Sequence, residues 1–221
     1  ETRYIERLAD GSWRYATYVW TEDGSDAVLA SDRGQRLDQV AGSPDGRYEV
    51  PSRYDCLACH EAAGTPVLGF SALQLSHDRV ASPPQPETDH AAEVDLRALS
   101  ERQLLRDAPA LWLSQPPRIT GSNEERAVLG YLHGNCSHCH NRVGPLASLG
   151  LYLDQSVDGD SSSVLSSLVD TPARTRAANL DRRLAPGSPE HSQLFARMAS
   201  RNPYIQMPPL GTRLTSLASR M

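Results

Sequence analysis

The first fifty residues carry a strand-like pattern of apolar and polar positions. Residues 2–8 (Thr-Arg-Tyr-Ile-Glu-Arg-Leu) and 13–20 (Trp-Arg-Tyr-Ala-Thr-Tyr-Val-Trp) concentrate aromatic and β-branched side chains. Ala9-Asp10-Gly11-Ser12 between them is turn material, so the pair predicts a β-hairpin. Residues 21–26 and 42–46 are turn-rich, and Arg47-Tyr48-Glu49-Val50 predicts a further short strand ended by Pro51. The pattern then becomes helical. Ser52 or Asp55 is placed to cap a helix that Gly64 and Pro66 break. Residues 82–89 read as a Pro-rich linker. Val94, Leu96, Leu99, Leu104 and Leu105 give residues 93–106 one apolar side, the mark of a helix. Ser122 and Glu125 form a capping box ahead of a helix carrying Val128, Tyr131 and Leu132, which Gly134 is expected to end or loosen. Residues 156–167, rich in Ser and Asp, read as an exposed loop. Ser188 as N-cap and Pro189 at the first helical position open a last helix with Leu194, Phe195 and Met198 as its buried stripe.

Two stretches interrupt this pattern with chemistry: Cys56-Leu57-Ala58-Cys59-His60 and Cys136-Ser137-His138-Cys139-His140. Both read C-x-x-C-H, and together they use all four cysteines. On a helical turn, positions i, i+3 and i+4 share a face. Two thiols there add to the two vinyl groups of one porphyrin, and the following histidine supplies an imidazole nitrogen to iron, as in c-type haem. Zinc knuckles place their pairs about 15–20 residues apart, far closer than these, and do not require a histidine after each pair. A redox C-x-x-C wants a βαβ context that the chain lacks. Two disulfides would close loops too tight to staple the fold. The expected cofactors are therefore two covalently bound haem c, held through Cys56, Cys59, Cys136 and Cys139, with His60 and His140 as proximal iron ligands.

The sixth ligands follow from position. Met207 lies in Ile205-Gln206-Met207-Pro208-Pro209, an irregular Pro-flanked stretch suited to bring a thioether to the second iron opposite His140. Met198 sits on the helical stripe as packing, and Met221 is terminal. A weak internal repeat, Leu68-Gly69 after the first motif and Leu149-Gly150 after the second, puts Gln115 where the first unit would need a methionine. The other histidines are His77, His90, His133, His138 and His191. His77 is the first choice as sixth ligand of the first haem and His90 the second, with an open position as the alternative.

Composition adjusts the picture. The chain has 221 residues, enough for two units near the usual domain size, and its hydrophobic share of 39% includes only two Phe and three Trp. Two porphyrins would supplement that thin core. The net charge of −5 argues against a nucleic-acid partner. Every basic residue is Arg, whose guanidinium pairs bidentately with carboxylates such as haem propionates. No apolar run approaches the ~20 residues that cross a bilayer, and no signal peptide is present. Haem c is attached outside the bacterial cytoplasm, so the sequence is expected to be mature or trimmed, and Glu1 opening directly into a strand pattern reads as a fragment of a longer chain.

The run Tyr131-Leu132-His133-Gly134-Asn135-Cys136-Ser137-His138-Cys139-His140, then Pro186-Gly187-Ser188-Pro189-Glu190 and Met207-Pro208-Pro209-Leu210, resembles secreted bacterial dihaem c-type cytochromes. Leu68-Gly69-Phe70 and Gln74-Leu75 after the first motif extend the resemblance to about residues 47–211. It implies electron transfer, with His140 and Met207 matching the ligands of the second haem. The expected architecture is mostly α: an N-terminal β-rich element (1–46) and two tandem cytochrome c-like units (47–120 and 121–221). The expected function is one-electron transfer outside the cytoplasm, periplasmic or at the cell surface, between redox partner proteins. The alternatives are a peroxidase-like enzyme at an open first haem and a subunit of a conductive cytochrome assembly.

Overall fold

The computed structural model describes residues 1–43, 45–80, 94–177 and 180–212. The Pro-rich stretch and His90 lie outside the described residues, as does Met221. The chain opens with strands β1 (Thr2–Arg7), β2 (Trp13–Trp20) and β3 (Ala27–Leu29) in an antiparallel meander. The hairpin β1–β2 occupies the residues its pattern predicts, in the register Thr2↔Tyr18 to Arg7↔Trp13. Alternation along β2 buries Tyr15 and Thr17 on one side and leaves Tyr18 and Trp20 exposed on the other. A second pair, β4 (Gln35–Asp38) and β5 (Arg47–Val50), is tied to β1 by Tyr48, whose hydroxyl donates to Glu1 at 2.7 Å and accepts from Arg3 at 3.2 Å. At Gly34 the backbone is left-handed (φ +73°), and a Cβ would stand 2.6 Å from the Val50 carbonyl oxygen, so only glycine fits.

Helix α1 (Arg53–His60) carries the whole first motif. Ser52 caps it in a full capping box: its side chain accepts from the Asp55 N–H while the Asp55 carboxylate accepts from the Ser52 N–H. Short helices α2 (Leu96–Glu101) and α3 (Leu111–Ser114) follow, and Leu75, Leu96 and Leu99 form a small core with Leu105 and Trp112 against it. The longest helix, α4 (Asn123–Cys136), starts at the predicted Ser122–Glu125 capping box and runs through Gly134 rather than ending there. Leu129 and Leu132 of α4 join Leu153, and Val164 and Leu168 of α5 (Ser162–Leu168), in the main core. The strands β6 (Pro172–Ala177) and β7 (Leu180–Arg182) pair next to α6 (Gln193–Ala199).

The mostly α expectation is corrected. Among the described residues there are six helices, most of them short, and three small sheets, which is a mixed architecture. Fifteen glycines and sixteen prolines keep much of the backbone in turns and cut helices off early. Of the helix expected at 93–106, α2 covers Leu96–Glu101: the Asp95 side chain caps its start by accepting from the Ala98 N–H, and Gln103 takes a left-handed conformation (φ 55°) just past its end. The serine-rich loop expected at 156–167 contains α5, whose buried Val164 and Leu168 stand one turn apart. The β6–β7 pair lacks the alternating apolar pattern that would announce it. The last helix begins one turn late, since Pro189–His191 forms a 3-10 turn and Ser192 precedes α6. Its expected stripe, Leu194, Phe195 and Met198, is half-buried.

Residues 62–78, which follow the first motif, run antiparallel to α4. Arg126, 7% exposed, donates to the Asp78 carboxylate at 3.1 Å and to its carbonyl oxygen. About two turns on, His133 meets Ser71 at 3.2 Å. Beyond the helix end, the Asn141 side chain donates to the Ala62 carbonyl at 3.1 Å. Leu132 of the same helix, 2% exposed, is buried in the main core with Leu129, Leu153, Val164 and Leu168. Leu132→Ala is expected to cost about 2–5 kcal/mol, read as a lowered midpoint in guanidinium unfolding.

Candidate functional site

The backbone gives both motifs the helical turn their chemistry needs. Cys56, Cys59 and His60 close α1. Cys136 ends α4, and the Cys139 and His140 amides both donate to the Cys136 carbonyl, at 3.2 and 2.9 Å, so the turn continues through the second motif. All four cysteines are free thiols. Cys136 packs against the main core, and burial pushes its thiol up to about 11.

The histidines that follow the two C-x-x-C pairs are held differently. The His60 Nδ1 stands 2.6 Å from the Pro66 carbonyl oxygen. A carbonyl only accepts, so Nδ1 carries the proton and Nε2 keeps its lone pair for a metal. The Tyr15 ring of β2 packs on the His60 ring with centroids 5.6 Å apart, which joins the N-terminal sheet to the first motif. The His140 Nδ1 is buried without a partner, and burial, followed by the charges of His138, Arg183 and Arg197, holds the imidazole below its usual range. Arg183 is braced by the Leu149 and Gly150 carbonyls at 2.6 and 2.7 Å. Arg197 holds the Met207 segment: its carbonyl accepts from the Met207 N–H at 3.0 Å, and its guanidinium donates to the Ile205 carbonyl at 3.2 Å. The half-buried Met207 is thereby anchored to an arginine that acts electrostatically on His140.

Two features sequence reasoning missed come from tertiary proximity. The sulfurs of Cys59 and Cys139 and a ring nitrogen of His138 all lie within 4.8 Å of one another, so the two motifs meet. Hydrogen bonds from Cys139 and His138 lower the pKa of the Cys59 thiol, while its bond with Cys59 raises that of Cys139. The second feature is His133, which had no assigned role. Its Nδ1 accepts from the Gln155 N–H at 3.1 Å, so Nε2–H donates to the Ser71 hydroxyl, which donates on to Gln74 at 2.9 Å. Both ring nitrogens are therefore engaged.

The residues present fit two covalent haems. Each turn presents two free thiols and a following histidine, with the Nε2 of His60 freed by its tautomer and the charges of Arg183 and Arg197, a cation type that binds carboxylates, felt at His140. His77 has a buried Nδ1 with no partner, while its Nε2 faces Arg97 at 3.5 Å. His191 is exposed and pairs with Glu190. Gln115 follows α3 as its C-cap. Comparison with protein-family models, with curated proteins and with solved structures returns no match. No helix among the described residues is long and apolar enough to cross a membrane.

Burial lowers the pKa of His133 below 6.5, against a smaller opposing effect of Asp154. The unfolded chain then binds the proton more readily, so stability is full above pH ~6.5 and is lost as pH falls from there through the folded value. Urea titrations across that range should show a steeper acid loss for the wild type than for His133→Gln.

Proposed function

We propose that this protein is a dihaem c-type cytochrome that transfers single electrons between partner proteins outside the cytoplasm. The observation that carries the reading is the recurrence of C-x-x-C-H on two helical turns, which together use every cysteine of the chain. When bound, haem supplies reversible one-electron exchange at iron. The chain supplies the rest. Cys56 and Cys59, and Cys136 and Cys139, anchor the two groups through thioethers. The Pro66 carbonyl fixes the orientation and tautomer of His60, while Tyr15 covers its ring. Arg183 and Arg197 stand ready to neutralise carboxylates beside His140. With His140, Met207 would hold the second iron through its thioether, and His77 would join His60 in holding the first unless that position is open.

A second reading has its own observation. Cys59, His138 and Cys139 form a soft-donor trio able to hold a transition-metal ion. One experiment separates the two. Mass spectrometry of denatured protein and the pyridine haemochrome spectrum should report two thioether-linked haems per chain; bound zinc and no haem would sink the cytochrome reading.

Two variants test the ligands. Met207→Ala is expected to abolish the thioether-to-iron charge-transfer band while both haems stay attached; an unchanged band rules Met207 out. At the first haem, carbon monoxide binding to the reduced protein at one site per chain identifies an open position and favours the peroxidase-like alternative. Without such binding, His77→Ala should remove the low-spin ferric signal of that haem.

A further inference from the structure

The two motifs are not merely near each other; one buried side chain joins them. Asn141, 5% exposed, immediately follows His140. Its amide hydrogens are shared among three carbonyls: Ser137 at 2.9 Å, His138 at 3.1 Å and, across the fold, Ala62 at 3.1 Å. Its Oδ1 accepts from the Val143 and Gly144 amides at 3.0 and 2.6 Å. Ala62 lies just past His60. A single amide therefore bonds the chain behind one axial histidine to the chain behind the other.

Gly144 makes the same contact from the steric side. A Cβ there would stand 2.4 Å from the Ala62 carbonyl oxygen, and the Gly144 backbone is not in the left-handed region, so closeness alone demands glycine. On the far side of the contact, the Cys139 sulfur is 3.6 Å from the Ala58 carbonyl oxygen and within 4.8 Å of the Cys59 sulfur. One attachment sulfur from each motif thus lies at the junction that Asn141 and Gly144 close.

We propose that Asn141 and Gly144 are positioning residues that set the spacing of the two haem attachment turns, and hence the electronic interaction between the haems of one chain. The inference rests on the dihaem reading. A purely local role for Asn141, as the brace of its own turn, needs only its bonds to Ser137, His138, Val143 and Gly144. The bond to Ala62 adds nothing to that turn. It costs a buried amide its freedom to pair elsewhere, and it fixes the position of the other motif.

The test is circular dichroism in the Soret region, where two interacting haems give a bisignate couplet. Wild-type holoprotein with two haems is expected to show it, and a wild type with two haems and no couplet overturns the proposal without any variant. Asn141→Asp keeps the acceptor oxygen for the Val143 and Gly144 amides and removes the donor to Ala62 together with those to Ser137 and His138; Gly144→Ala presses on the Ala62 carbonyl and deletes no hydrogen bond of its own, so a loss common to both variants points to the Ala62 contact. Both are expected to lose couplet amplitude while retaining two haems by haemochrome assay and the same ferric resonance signature at each iron. Undiminished couplets in variants that keep both haems overturn it. Should Asn141→Asp fail to hold two haems, Gly144→Ala carries the comparison. A wild type that holds no haem fails the dihaem reading instead, and is told apart by its missing haemochrome.

Discussion

The structure depends on the polar zip between residues 62–78 and helix α4. Arg126 with Asp78, His133 with Ser71, and Asn141 with Ala62 fall on one side of the helix and its C-terminal turn. Each involves a buried or half-buried polar group that would lose this bond if the segment shifted. A slip in register would break all three at once. Apolar packing alone would tolerate such a slip, since it is non-directional. The zip therefore specifies how the chain leaving the first motif lies along the helix that leads into the second, and the meeting of Cys59 with Cys139 follows from it.

The N-terminal sheets act on the same arrangement from the other side. Alternation along β2 aims Tyr15 and Thr17 inward, and Tyr15 reaches the His60 ring. The link through Glu1, Arg3 and Tyr48 joins the two sheets, and β5 feeds directly into the capping box of α1. The β element is thus the support of the first motif as well as its cover. At the second motif that support comes from α4, the main core behind Cys136 and the arginines about His140.

What could be read locally was read well. Hairpin β1–β2, strand β5 and the capping boxes at Ser52 and Ser122 rest on interactions within a few residues, so the chain declares them. Helix α5 was hidden because serines dominate its composition while only Val164 and Leu168 carry its buried side. The mostly α expectation failed for a related reason: motif-bearing helices were extrapolated into a helical fold, whereas Gly and Pro confine regular structure to short pieces.

The sequence by itself determined that each C-x-x-C-H places two thiols and an imidazole on one face, by helical geometry alone. It also determined where turns and caps fall. Only the tertiary structure decided that the motifs abut, that His133 is a neutral bridge with both nitrogens engaged, and that Asn141 spans the two turns. Those facts depend on contacts between residues far apart in the chain, and hydrogen-bonding partners at such separation leave no periodicity or spacing in the sequence from which they could be read.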